Sequence, residues 1–304
     1  MTETSVGTRG FYGWKNVVLL FFVYLSTLGI VFYGYSVIFP AMIKALEWNR
    51  GTASIAQTIC VLLMGTIIPL VAYSINKNGV KKTMRFGIAL LSVGMLLLGT
   101  VTSRMWQWII LWGLVVGIGF GFCGTVPIQT LLMHWFNVKR ATAIGLVMTG
   151  AAVGGFLAQP FFTWLMGLVN SWRVAWLVGA GFGVVALVCS FFLVNKPEDL
   201  GQFADGLSPE QIAEAQKASG GGAHTFRTSI IWDVKDVFRT PVIYFITIFV
   251  IGQLMSLFMI TSHGYLHFIG RNFTQMQAAS ILSFIILGSG CARFPAGRLA
   301  GRPD

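Results

Sequence analysis

Eight long stretches of the chain contain no charged residue, and this pattern limits what the chain can fold into. They are 18 to 34 residues long, and a helix needs roughly 20 apolar residues to cross the hydrocarbon core of a bilayer. Only 10% of the residues are charged, against about 25% in a typical soluble domain. We therefore predict an all-α polytopic membrane protein with one span per stretch, at residues 16–43, 51–76, 86–103, 105–138, 141–172, 174–195, 240–270 and 272–292.

The basic residues predict the orientation of these spans. The net charge is +11, and Lys and Arg gather in the connections between the apolar stretches. A nucleic-acid interface needs basic residues and aromatic residues together on a soluble face, and the sequence has no such cluster. If the N-terminus is cytoplasmic, 15 basic residues lie on that side and five on the other. Because cytoplasmic loops carry an excess of Lys and Arg, we expect a multi-pass protein of the cell membrane with a cytoplasmic N-terminus.

One long connection divides the chain. Residues 196–240 hold seven of the ten carboxylates and are expected to form a cytoplasmic central loop. Residues 1–14 precede the first span, and residues 15–195 are predicted to form a six-helix transmembrane bundle. Residues 241–304 then begin a second bundle with two spans. The eighth span must continue beyond Arg293 to cross fully.

The sequence offers no chemistry that an enzyme would need. An intramembrane enzyme requires paired carboxylates, a metal motif or a nucleophile with its base, and no apolar stretch holds an acid. The cysteines lie singly in apolar stretches, without the spacing of metal ligands. We therefore expect neither catalysis nor a metal or cofactor, and the four cysteines fit small core residues: Cys60, Cys123, Cys189 and Cys291.

Arg293 is a charged residue inside an apolar region, which is costly and is the usual mark of a functional site. No acidic residue occurs between Glu47 and Glu198 or in the last two apolar stretches, so Arg293 has no neighbour there to neutralise it. An unpaired buried cation favours an anion that arrives as substrate. The alternative is an arginine that snorkels to the membrane interface.

The connections after the second and eighth spans resemble each other. Both follow a proline, and each resembles the loop signature Gly-x-Leu-x-Asp-Arg-x-Gly-Arg-Arg of the major facilitator superfamily of secondary transporters. The matching positions are Lys77 and Gly79 in one copy and Gly297 and Arg302 in the other, while Asn76 replaces the Asp. The resemblance implies the major facilitator fold, with two six-helix bundles and these five residues in the gating loops. Loss of the acid weakens the charge-relay gate ascribed to this loop.

Three further segments are similar to the branch of this superfamily that contains monocarboxylate transporters and oxalate–formate antiporters. They are Phe11-Tyr12-Gly13-Trp14, His134-Trp135-Phe136 and the start of the central loop at Lys196-Pro197. The branch has twelve spans, and this chain reaches Asp304 after the eighth. The resemblance implies alternating-access transport of a small mono- or dicarboxylate, with a co-transported proton or a counter-anion as the coupling partner.

The resemblance also implies site residues. The branch places a substrate-binding Arg in the eighth span four residues before a Gly, as Arg293 stands before Gly297. Gln57 resembles a cavity-lining Gln of the oxalate–formate antiporters, and the alternative for a Gln near the outer end of a helix is an interfacial position. Tyr33 and Tyr35 are placed to hydrogen-bond a carboxylate, although a position in an interfacial aromatic belt is an equal alternative for both.

Other polar residues and glycines predict packing. Interhelical hydrogen bonds are expected for Gln129, Gln159 and Gln253. Close helix contacts are expected at the small-residue pairs Gly117/Gly121 and Gly150/Gly154. Two rival interpretations stay open: an inactive chain without the last four spans, and a receptor or scaffold that does not transport.

Overall fold

The computed structural model describes residues 11–207 and 234–299. Only the backbone is described at residues 234, 235, 237 and 292–299. The described residues contain no β-strand, and their main helices follow the eight uncharged stretches. We label these helices in chain order: α1 Gly13–Ala45, α2 Arg50–Thr66 with Ile68–Asn78, α3 Val80–Thr100, α4 Met105–Trp135, α5 Arg140–Val169, α6 Trp172–Phe191, α7 Pro241–Gly270 and α8 Gln275–Leu299.

The lengths of these helices confirm the prediction of an all-α multi-pass membrane protein. Within the described ranges, six helices are long and apolar enough to cross a membrane, and the bent α2 is a seventh. Helix α8 is apolar over Gln275–Cys291 and continues to Leu299. It therefore runs past Arg293, as the expected length of the eighth span required.

The charges did not mark every helix boundary. Helix α3 begins at Val80 and includes Arg85, whereas the uncharged stretch begins at Phe86. The Arg85 guanidinium lies 4.2 Å from the centre of the Phe191 ring and donates to the Phe191 carbonyl oxygen at 3.3 Å. A long basic side chain near a helix end can reach polar partners while its stem covers apolar surface, so the helix tolerates it.

Prolines explain two interruptions. Helix α2 bends by 49° between its two parts, and Pro69 is the second residue of the second part. Helix α4 is broken at Gly124, whose backbone has φ −81° and ψ −150°, just before Pro127. A proline ring clashes with the carbonyl group four residues earlier and provides no N–H, so the helix must bend or break there.

Two spans contain a wide π-helical turn. It covers Leu25–Phe32 in α1 and Ile109–Val116 in α4. Such turns are rare and are frequent at functional sites. Tyr33 and Tyr35 follow the first of them directly, so the extra residue in the turn sets the direction in which both rings project.

Glycines bring the helix pairs α1–α5 and α2–α4 together, as the small-residue pairs predicted. A Cβ atom added to Gly154 would lie 2.6 Å from the Leu25 carbonyl oxygen, and one added to Gly150 would lie 2.7 Å from that of Phe21. On the other pair, a Cβ atom on Gly117 would lie 3.0 Å from the Cα atom of Cys60. Backbone therefore packs directly on backbone at both contacts.

We call the end of the bundle where α1 begins and α6 ends the basal end. The three segments that resemble one transporter branch meet there. Phe11 packs against Trp135 at 5.7 Å and Phe136 at 5.5 Å between ring centres. The buried Asn16 side chain makes two hydrogen bonds to the backbone of Val194, with its Nδ2 donating at 3.1 Å and its Oδ1 accepting at 3.2 Å. These contacts fasten the start of α1 to the ends of α4 and α6.

Asp205 ties the central loop to the start of α5. Its carboxylate accepts hydrogen bonds from the backbone N–H groups of Asn137 and Val138, both at 2.7 Å, and of Lys139 at 3.2 Å. These N–H groups lie in the connection just before α5, and Asp205 therefore fixes the path of the chain into that helix. Sequence reasoning missed this contact, since it joins residues that are far apart in the chain.

Candidate functional site

A cavity of about 480 Å³ lies between α1, α2 and α7, and we call it the Gln57 cavity. Its size is within the range of small-molecule sites in proteins. Its polar wall residues are Tyr35, Ser54, Gln57, Thr58, Ser262 and His263, and its apolar ones are Val61, Leu62, Met255, Phe258 and Met259. No carboxylate belongs to this wall among the described residues.

The side chain of Gln57 has a defined orientation. It is 9% exposed, and its Oε1 accepts a hydrogen bond from the indole nitrogen of Trp112 at 2.7 Å. An indole N–H can only donate, so the oxygen of the amide must face Trp112. The two N–H donors of the amide are thereby left over, and they form no hydrogen bond within the described part of the chain. Gln57 therefore offers hydrogen-bond donors to the cavity that it lines.

Tyr35 is part of a stack of aromatic rings. Only 3% of it is exposed, and its ring stacks on Phe39 at 4.9 Å and on Trp112 at 5.0 Å between centres. Trp108 continues the stack at 5.5 Å from Trp112, and its indole N–H donates to the Ala53 carbonyl oxygen at 2.9 Å. Tyr35 is thus a buried wall residue, and the interfacial belt that sequence left open does not describe its position.

The structure does not bring Tyr33 to the same cavity. Tyr33 contacts Gly155 of α5 and lines a void of about 10 Å³ with Ile286 and Ser289 of α8. A void of that size holds one water molecule at most. Residues two apart on a helix point in nearly opposite directions, and therefore Tyr33 and Tyr35 face different neighbours.

Arg293 follows Ser289 by one turn of α8, but its side chain lies outside the described residues. The same holds for Gly297 in the last turns of this helix, and Arg302 lies outside the described ranges altogether. The position of α8 itself is described up to Cys291, with Ser289 next to Tyr33.

Gln159 joins α5 to two other helices. It is fully buried, its Nε2 donates to Ser36 Oγ of α1 at 3.1 Å, and its Oε1 accepts from Ser283 Oγ of α8 at 3.3 Å. The prediction of interhelical hydrogen bonds is therefore confirmed for Gln159. It is wrong for Gln129 and Gln253, whose side chains make no hydrogen bond within the described ranges. The bond to Ser283 connects the first six helices to α8.

The loop between α2 and α3 has the tight geometry that its glycine predicts. Gly79 has φ +82°, a conformation that glycine adopts more readily than other residues. The side chain of Asn195 braces the loop, since its Oδ1 accepts from the backbone N–H of Lys81 at 2.8 Å. Asn76 and Lys77 are exposed, and the Lys77 ammonium lies 5.9 Å from the centre of the Tyr73 ring.

Arg50 and His263 form a contact that sequence reasoning did not foresee. One terminal nitrogen of the Arg50 guanidinium lies 2.7 Å from His263 Nδ1, which links the start of α2 to α7. Arginine can only donate, so Nδ1 is the acceptor and carries no proton in this arrangement.

Comparison with known proteins agrees with this architecture. The family model described as Major Facilitator Superfamily matches residues 19–304. The chain is 27% identical over 193 residues to monocarboxylate transporter 13 of Rattus norvegicus, and the matched region covers 64% of this chain and 44% of the relative. It is 26% identical over 216 residues to human monocarboxylate transporter 12, covering 68% of this chain and 39% of the relative. The chain thus spans less than half the length of these curated relatives. Because the family model covers nearly the whole sequence, the chain belongs to the Major Facilitator Superfamily.

Proposed function

We propose that the full-length protein is a secondary transporter that moves a small organic anion, a mono- or dicarboxylate, across the cell membrane. The observation that carries this proposal is the orientation of Gln57. Its bond to Trp112 leaves two N–H donors for the Gln57 cavity, whose described wall has no carboxylate. Donors without a negative neighbour suit an anion. The similarity to monocarboxylate transporters 12 and 13 supports the same substrate class.

Arg293 is proposed to bind the carboxylate group of the substrate. A guanidinium presents paired donors that match the two oxygens of a carboxylate. The position of Arg293, one turn beyond Ser289, puts it on the helix that approaches Tyr33. Tyr35 and Tyr33 would add hydrogen bonds from α1, the first from the Gln57 cavity and the second from the side of α8.

The coupling partner is proposed to be a second anion. A carboxylate proton relay needs an acid within the spans, and none occurs from α2 to α6 or in α7 and α8. Exchange against a counter-anion requires no such acid, because the outgoing anion can neutralise Arg293 in its turn. Co-transport of a proton is the alternative, and a dependence of uptake on a pH gradient would identify it.

The proposed mechanism is alternating access by two bundles that rock around a site near the middle of the membrane. Residues 15–195 form one bundle and the segment from residue 241 begins the other, with the N-terminus in the cytoplasm. The turn at Gly79 connects α2 and α3 at the end where the N-terminus lies, and Asn76 and Lys77 belong to the last turn of α2 before it. The role of this turn, and of the second signature copy with Gly297 and Arg302, is proposed to be mechanical, since Asn76 provides no charge for an ionic gate.

Uptake of labelled carboxylates by cells that express the full-length protein tests this proposal. Arg293→Gln is expected to abolish uptake, because it removes the charge that binds the anion. Gln57→Leu is expected to reduce uptake about tenfold or more, because it removes the donors and leaves the Trp112 N–H without its acceptor. Gln253→Leu is the matched control, since Gln253 lies exposed on α7 outside the cavity wall.

The assay has clear contrary outcomes. Normal carboxylate uptake by Arg293→Gln would show that this residue does not bind the substrate. Uptake of organic cations in preference to carboxylates would overturn the substrate class, whatever the variants do.

A further inference from the structure

A second cavity, of about 620 Å³, lies at the end of the bundle opposite the basal end. We call it the Lys44 cavity. It opens between the last turns of α1, α5 and α7 and the first turn of α8. Six of its wall residues matter for its chemistry: Lys44, Trp48, Arg50, Asn170, Trp172 and Gln275.

The wall of the Lys44 cavity combines positive charge with flat apolar surface. Lys44 and Arg50 are cationic, and no carboxylate belongs to the described wall. Trp48 and Trp172 are half-buried, so each presents part of its ring to the cavity. The volume is within the range of sites for small organic molecules. A carboxylate attached to an apolar or aromatic body matches both features.

Arg50 connects this cavity to the Gln57 cavity. It lines the Lys44 cavity, whereas its hydrogen-bond partner His263 lines the Gln57 cavity. The bond between them, 2.7 Å long, therefore joins the walls of the two cavities. It also joins α2 to α7, so its loss would free these two helices from each other at this end.

We propose that the Lys44 cavity is a first binding site for the anion, and that the bound carboxylate releases Arg50 from His263. A hydrogen bond from a guanidinium to a carboxylate is charged on both sides and is roughly twice as strong as one to a neutral acceptor. A carboxylate that takes both terminal nitrogens of the guanidinium in paired hydrogen bonds displaces the unprotonated imidazole from one of them, and Arg50 changes partner. This inference rests on the proposed function, since it takes the substrate to be a carboxylate, but the site has its own test.

Cysteine labelling measures binding at this site directly. In the full-length protein with its other cysteines replaced by alanine, Ser171→Cys places a thiol in the wall of the Lys44 cavity. The protein in detergent is treated with a hydrophilic maleimide, with benzoate as the probe anion. Benzoate is expected to slow the labelling, and Arg50→Ala and Lys44→Ala are each expected to raise the half-protecting concentration about tenfold.

Matched variants separate the site from general charge effects. Arg271→Ala removes a basic residue at the same end of the molecule that does not line the cavity, and it should leave the protection unchanged. His263→Ala removes the competitor for Arg50 and should lower the half-protecting concentration about threefold, a change of under 1 kcal/mol. His267→Ala, on the same exposed end of α7, should have no effect.

The result is independent of transport. Protection that requires Arg50 and Lys44 supports the site even if the protein carries none of the labelled carboxylates, in which case the proposed function fails alone. Absence of protection, or equal protection in all variants, overturns the site even if uptake is normal. If only His263→Ala behaves like the unchanged protein, the partner exchange at Arg50 is overturned.

Discussion

Helix α5 has two packed sides, and they differ in kind. On the α1–α5 seam, formed by Gly29, Gly150 and Gly154, backbone touches backbone. On the α5–α8 seam side chains take part in each contact, with Phe156 against Phe284 at 5.5 Å, Gln159 bonded to Ser283, and the Ala152 methyl group against Gly290. Backbone contacts cannot adjust without moving a whole helix, whereas side chains can change rotamer and partner.

This difference indicates which helices move as a unit. The α1–α5 seam holds two helices of the first bundle at a fixed distance. The α5–α8 seam joins that bundle to α8 through few polar bonds that can break and form again. In the proposed transport cycle the first seam stays closed and the second opens. Substitutions at Gly154 and at Gln159 test the two sides of this contrast, and a substitution at Asp205 tests the contact that fixes the start of α5.

The largest effect is expected at the α1–α5 seam. In Gly154→Leu the new Cβ atom would lie 2.6 Å from the Leu25 carbonyl oxygen and 2.7 Å from the Gly29 Cα atom. Because both are backbone atoms, we expect a destabilisation of about 3 kcal/mol or more. Thermal unfolding of the purified protein measures it. Gly145→Leu is the control on the same helix, since a Cβ atom there meets nothing within 4 Å. Equal melting temperatures for the two variants would refute a rigid seam.

A smaller effect is expected where Asp205 of the central loop holds the connection before α5. Asp205→Asn keeps the left-handed backbone at this position, φ +58°, which asparagine tolerates. It removes the negative charge that accepts three backbone N–H bonds, and the expected loss of stability is about 2 kcal/mol. Glu198→Gln removes the same charge from an exposed residue of the same segment and should change stability little. A comparable loss in Glu198→Gln would mean that net charge, and not the hydrogen bonds of Asp205, is responsible.

The smallest stability effect and the clearest functional one are expected at the α5–α8 seam. Gln159→Leu removes the bonds to Ser36 and Ser283, at a cost of about 1 kcal/mol. Because one of these bonds crosses between α5 and α8, the loss should favour the opened seam about fivefold. The distance between spin labels on α5 and α8 reports this shift, with Gln253→Leu as control. An unchanged distance distribution would show that Gln159 does not hold the seam.

The sequence alone predicted the helices and much of their packing. Eight uncharged stretches were enough for eight main helices, because the hydrocarbon core sets the length of a span. The pair Gly150 and Gly154 predicted a close helix contact, and Gln159 predicted an interhelical bond. Each of these is a local signal, since residue type and spacing on a single helix decide it.

Other features of the site depend on residues that are distant in the chain. Tyr33 and Tyr35 seemed equivalent in sequence, yet Tyr35 lines the Gln57 cavity and Tyr33 lies against α8. The partners of Asp205 and of Arg50 lie at least 66 residues away. No spacing rule links such positions, because their contact exists only after the helices have packed.

The sequence by itself therefore determined that this chain spans a membrane, belongs to a transporter family and carries an arginine without an acidic neighbour in its eighth span. Hydrophobicity and charge decide the first and the last of these properties, whereas the family follows from motif residues and from the match of the family model. Only the tertiary structure decided that Gln57 turns its oxygen to Trp112 and its donors to a cavity, and that Arg50 joins two cavities through His263. Hydrogen-bond direction depends on where each partner lies in space, and packing alone determines that.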